Sequence, residues 1–62
     1  MTDWKIQFCV TKDLSILYEM SACAHPIPPV GVNVIVRNHE YEVLRVIYDY
    51  DCEVASVFVK EV

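Results

Sequence analysis

Apolar residues recur at every second position along most of the chain, the spacing of half-buried strands. Trp4, Ile6, Phe8 and Val10 share one face of a first strand, with Lys5, Gln7 and Cys9 on the other. Thr11-Lys12-Asp13 interrupt it with residues suited to a turn. Leu14, Ile16, Tyr18 and Met20 then alternate with Ser15, Leu17, Glu19 and Ser21, which predicts the second arm of a hairpin. A helix over residues 14–22 competes, because Leu14, Leu17, Tyr18 and Ser21 also lie at helical spacing and Asp13 is placed to cap it. The alternation favours the strand.

Residues 23–29, Cys-Ala-His-Pro-Ile-Pro-Pro, read as a connecting arm. Prolines remove backbone donors and restrict the residues before them. Val30, Val32, Val34 and Val36 then form an unbroken stripe, with Gly31, Asn33 and Arg37 in the opposite set. Arg37-Asn38-His39-Glu40 predicts a tight turn in which Asn38 is the residue best suited to a left-handed backbone. In the long strand that follows, Tyr41 and Val43 share one parity and Leu44, Val46 and Tyr48 the other. A β-bulge between Val43 and Leu44 accounts for the switch. Asp49-Tyr50-Asp51 predicts the next turn. Residues 52–62 predict a last strand, with Val54 and Phe58 on one side and Ala55, Val57 and Val59 on the other, and apolar residues on both faces predict burial of both.

Five short strands, one of them bulged, fit an all-β domain: a small five-stranded antiparallel SH3-like barrel or a strongly bent sheet. At 62 residues the chain is expected to form a single domain, 1–62. The composition is 55% hydrophobic and 23% charged with a mean hydropathy of +0.29, which excludes a disordered chain. A core of this size supplies only about 3–5 kcal/mol, so the apolar surplus predicts a buried contact with a partner or a second copy, most simply a homodimer.

The net charge of −4 and pI near 4.8 oppose direct contact with a phosphate backbone. The charge-free stretches fall short of the roughly 20 apolar residues of a membrane span. Three cysteines, Cys9, Cys23 and Cys52, in a chain that opens without a charged start and apolar run, predict a cytoplasmic protein without a structural disulfide. For metals, Cys23 and His25 form one Cys-x-His pair, with Cys9, His39 and Cys52 elsewhere. Structural zinc sites use two closely spaced pairs, so neither a metal nor any other cofactor is expected. Asp49, Asp51 and Glu53 resemble the start of a calcium loop, yet its glycine and distant bidentate glutamate are missing. No phosphate-binding glycine loop is present, and Cys23 with His25 is a lone nucleophile–base pair. A non-enzymatic protein is expected.

Two resemblances attach to particular residues. Val46-Ile47-Tyr48-Asp49-Tyr50 resembles the Ala-Leu-Tyr-Asp-Tyr signature of eukaryotic SH3 domains. In that family the signature lies near the start of the domain, whereas here only residues 51–62 follow, so proline-peptide recognition is not carried over. Pro29-Val30-Gly31-Val32-x-Val34, then Tyr41-x-Val43-x-x-Val46, then an Asp-containing turn and a valine-rich strand span about half the chain. This pattern is similar to small SH3-like barrels encoded by phages and prophages. Some short acidic phage proteins, anti-CRISPR proteins among them, block a host complex by occupying its nucleic-acid site. The resemblance thus implies an inhibitor or accessory protein acting in the host cytoplasm, and assigns no role to a particular residue.

The charge distribution gives that expectation a place. Between residues 40 and 53 lie Glu40, Glu42, Asp49, Asp51 and Glu53 against Arg45 alone, a segment charge equal to the −4 of the whole chain. With Tyr41, Tyr48 or Tyr50 as the desolvated anchor, these acids form the expected surface for a protein partner carrying a basic, nucleic-acid-binding site. The rival expectation is a self-assembling structural or adaptor β-barrel without nucleic-acid mimicry. One geometric feature bears on the first. Seven residues from Glu42 to Asp49 span about 23 Å at ~3.3 Å per residue, so the acids can divide into two patches.

Overall fold

The computed structural model describes residues 4–12, 15–22 and 25–62. The expected turn residue Asp13, Leu14 of the second alternating run, and Cys23 and Ala24 of the arm lie outside the described residues. The fold is all-β. β1 (Lys5–Val10), β2 (Ile16–Ser21), β3 (Asn33–Val36), β4 (His39–Asp49) and β5 (Val54–Glu61) form one sheet in the order β2-β1-β5-β4-β3. The segment for which strand and helix competed is a strand. Neighbours pair antiparallel except β1 and β5, which run parallel from Lys5 opposite Val54 to Val10 opposite Val59. The sheet is therefore mixed rather than wholly antiparallel. The parallel pair is possible because the long excursion through β2, the proline arm, β3 and β4 serves as the crossover that parallel neighbours require.

The sheet curls until its two edge strands face each other. Tyr18 and Met20 of β2 and Ile35 and Val36 of β3, with Arg37, line a cavity of about 350 Å³ between the edges. The barrel is thus nearly closed, with a seam where β2 and β3 meet across space rather than through a ladder. Ile6 and Phe8 of β1, Val36 of β3, Tyr41 and Val43 of β4, and Val57 and Val59 of β5 form the buried core. Each fully buried side chain of this size contributes about 1.5–3 kcal/mol by leaving water.

Two bulges set which side chains reach that core. In β4 the pairing steps from Val43 opposite Val59 to Arg45 opposite Phe58, leaving Leu44 as the extra residue. Val46 thereby returns to the inner face, as the parity switch in the sequence requires. The second bulge leaves no break in the sequence pattern. Phe8 pairs with Tyr18 but Cys9 with Ile16, so Leu17 is the extra residue in β2. Leu17 and Met20 pack on the core, while Ile16 is 56% exposed.

Two further expectations need correction. The stripe from Val30 to Val36 is buried only toward its end: Val30 and Val32 are exposed, Val34 is partly buried and Val36 is buried. A turn at Val30-Gly31, with Gly31 at φ 95°, brings the chain onto the sheet from the arm, and only Asn33–Val36 enters the strand. In β5, Ala55, Val57 and Val59 are buried but Val54 and Phe58 are half-buried. Among the described residues no second layer covers the outer face of this central strand. The β3–β4 hairpin closes through Arg37 (φ 53°) and Asn38 (φ 67°), the two consecutive left-handed residues of a type I′ turn.

Candidate functional site

β4 is long enough to separate the acids into two groups. At its start, Glu40 accepts a hydrogen bond from Asn33 Nδ2 (2.7 Å), and Glu42 lies 3.7 Å from Lys60 Nζ on the neighbouring strand. These carboxylates are engaged within the sheet, the latter in an exposed pair worth at most about 1 kcal/mol. At its end, Asp49, Asp51 and Glu53 surround the β4–β5 turn. Among the described residues none of these three makes an ion pair.

The turn at residues 50–53 is organised by Asp49. Its Oδ1 accepts the backbone N–H groups of Asp51 (3.0 Å) and Cys52 (3.1 Å), a side chain standing in for the backbone carbonyl of a turn. Asp49 is therefore a structural acid as well as a charge. Glu53 closes the turn at φ 57°, and its carbonyl accepts the N–H of Lys5 at 3.1 Å, which ties the start of β1 to the turn. A left-handed backbone costs a non-glycine residue roughly 1–2 kcal/mol, and glycine returns part of that as unfolded-chain entropy, roughly 0.5–1 kcal/mol. Glu53→Gly should accordingly stabilise the fold by about 0.5–1 kcal/mol, a few degrees in Tm. A thermal melt by circular dichroism checks this, and an unchanged or lowered Tm would contradict it.

Tying β1 to the turn carries Trp4 to the same place. Its ring stands edge-to-face with Tyr50 (centroids 5.1 Å, 82° between planes) and with Tyr48 (6.3 Å, 68°). Tyr50 is 78% exposed and Tyr48 51%. Tyr48 has the inner-face parity of its strand and pairs with Ala55, but lies too near the sheet's end to be covered. Trp4 also borders a cavity of about 330 Å³ lined by Lys5, Glu19, Met20 and Ser21. Alternation along the chain puts Trp4 only on the strand face shared by Ile6, Phe8 and Val10. The parallel pairing that brings it to the turn has no local signal.

The residues considered for metal or nucleophilic chemistry are dispersed. His25 is exposed in the arm, His39 opens β4, Cys52 is exposed in the turn, Cys9 is buried in β1, and Cys23 lies outside the described residues. Among the described residues no three His, Cys, Asp or Glu side chains converge to hold a metal ion. Burial pushes the Cys9 thiol above its usual value, which disfavours the reactive thiolate. Brief alkylation of the native protein should therefore modify Cys52 and spare Cys9 until the chain is unfolded, as read by peptide mass spectrometry. Equal labelling of both under native conditions would contradict the packing around Cys9.

This end of the barrel thus sets half-buried Trp4 and exposed Tyr48 and Tyr50 at the same turn as three carboxylates. No described helix is long and apolar enough to cross a membrane. In comparisons with known proteins, the chain matches no family model, no curated protein and no solved structure.

Proposed function

We propose that this chain is a non-enzymatic acidic binding protein whose β4–β5 turn docks on a basic, nucleic-acid-binding site of another protein. A phage or mobile-element inhibitor or accessory protein acting in the host cytoplasm is the role that the sequence resemblance suggests for such a surface. One observation carries the reading. Asp49, Asp51 and Glu53 cluster beside exposed Tyr48 and Tyr50 at a single turn, without an ion pair among the described residues. Carboxylates crowded at one turn repel one another, and a cationic partner relieves that repulsion. Glu40 and Glu42, engaged by Asn33 and Lys60 at the other end of β4, contribute to the long-range field that steers encounter rather than to the contact itself.

Affinity capture from a host lysate at low salt tests the reading when the eluate is challenged with nucleic acid. The partner should be released by salt and by competing nucleic acid, since both compete for the same cationic groups. Retention through both challenges would contradict it.

The second reading, a self-assembling barrel, is favoured by the free edge of β3, where Ile35 is 76% exposed beside the seam. Its four residues carry no lysine, proline or bulge, so only its shortness and the facing β2 guard that edge against pairing with another copy. Light scattering across a wide concentration range separates the two readings. A dimer abolished by Ile35→Lys supports assembly, and a monomer throughout supports the docking protein.

A further inference from the structure

We infer that the corner formed by Trp4, Tyr48 and Tyr50 receives an arginine side chain of the basic partner and is the anchor of the docking surface. The inference rests on the proposed docking function and adds the chemistry of its central contact. Three of the chain's seven aromatic residues meet at this one exposed corner. Both tyrosines remain exposed there, Tyr48 at 51% and Tyr50 at 78%. An aromatic face carries negative charge density and attracts a cation. Asp51 and Glu53 beside it add full negative charges, so the corner selects for a positive group over an apolar one.

Guanidinium suits this geometry better than ammonium. It is planar and weakly hydrated, so it can lie on a ring face while the N–H groups at its edge donate to a neighbouring carboxylate. A lysine ammonium is a strongly hydrated point charge and gains less from the ring. The chain's own two arginines do not fill the corner. Arg45 lies over Phe58, 5.6 Å from the ring centroid, and Arg37 is in the turn at the opposite end of β4. Lys5 borders the same cavity as Trp4.

Trp4 is the chain's single tryptophan, so its fluorescence reports on this corner directly. The intact protein is titrated at low salt with an arginine–glycine repeat peptide and with a lysine–glycine peptide of equal charge. The arginine peptide should change Trp4 emission saturably and bind about fivefold more tightly than the lysine peptide, the ratio expected for one cation–π contact. Tyr50→Ala should bring the arginine peptide down to the lysine level while leaving the lysine peptide unchanged, and Tyr50→Phe should restore the difference. A circular dichroism melt of each variant establishes that it is folded. Equal binding of the two peptides, or a folded Tyr50→Ala variant that retains the preference, would overturn the arginine corner and leave the acidic docking function standing. Binding of neither peptide would overturn both.

Discussion

The double variant Asp51→Lys/Glu53→Lys should fold like the parent and lose its partner. Each reversal adds two positive charges, so the pair takes the formal net charge from −4 to zero and places two lysines against a site that is itself basic. Juxtaposed like charges cost several kcal/mol. At about 3 kcal/mol, the loss of affinity is on the order of a hundredfold. Asp49 is deliberately spared, because its Oδ1 holds the N–H groups of Asp51 and Cys52 and its replacement by lysine would remove the turn's cap together with its charge. Asp49→Asn keeps an acceptor for the turn and removes one charge, so it should weaken binding less than the double reversal at nearly unchanged Tm. Calorimetric titration of each variant into the captured partner measures these affinities. A double variant that binds within a few-fold of the parent would show that the acids are not the docking surface.

The second large effect is on folding. Phe8 is 4% exposed and packs in the core cluster that joins β1, β3, β4 and β5. Phe8→Ala removes a buried aromatic at a cost of about 3–5 kcal/mol. That loss equals all that a single core of this size supplies, about 3–5 kcal/mol. The variant should be largely unfolded at room temperature, with the cooperative thermal transition gone from its circular dichroism melt. Retention of a cooperative transition near the parent Tm would show that stability comes from elsewhere, for example from a second copy covering the seam.

Glu53 links stability to function. The left-handed position favours glycine, yet a glutamate occupies it beside the exposed tyrosines. If the turn is the docking surface, the stabilised Glu53→Gly variant should also bind the partner more weakly. That is the exchange between stability and activity expected where a site is kept under strain.

The local features of the fold were legible in the sequence. Alternation located the strands, Asn38 marked the left-handed hairpin turn, and the parity switch at Val43 and Leu44 marked the bulge in β4. Each is written in residues adjacent along the chain. The bulge at Leu17 was hidden because every position from Leu14 to Leu17 except Ser15 is apolar, so an added residue produces no visible break in the pattern. The parallel pairing of β1 with β5 joins residues some fifty positions apart in sequence, for instance Lys5 and Val54, and nothing local specifies it. The candidate site divides in the same way. The acidic turn and its tyrosines could be read directly, whereas Trp4 reaches them only through that long-range pairing. The engagement of Glu40 with Asn33 and of Glu42 with Lys60 likewise depends on strand register rather than on composition.

The most direct test of the central claim is a map of backbone amide chemical shifts in the ¹⁵N-labelled protein as the captured partner is added at low salt. The account predicts shifts concentrated at Trp4 and from Tyr48 to Val54, diminishing together as salt is raised. Shifts confined to Asn33–Val36 and the facing residues of β2, or to Glu40 and Glu42 at the far end of β4, would contradict it.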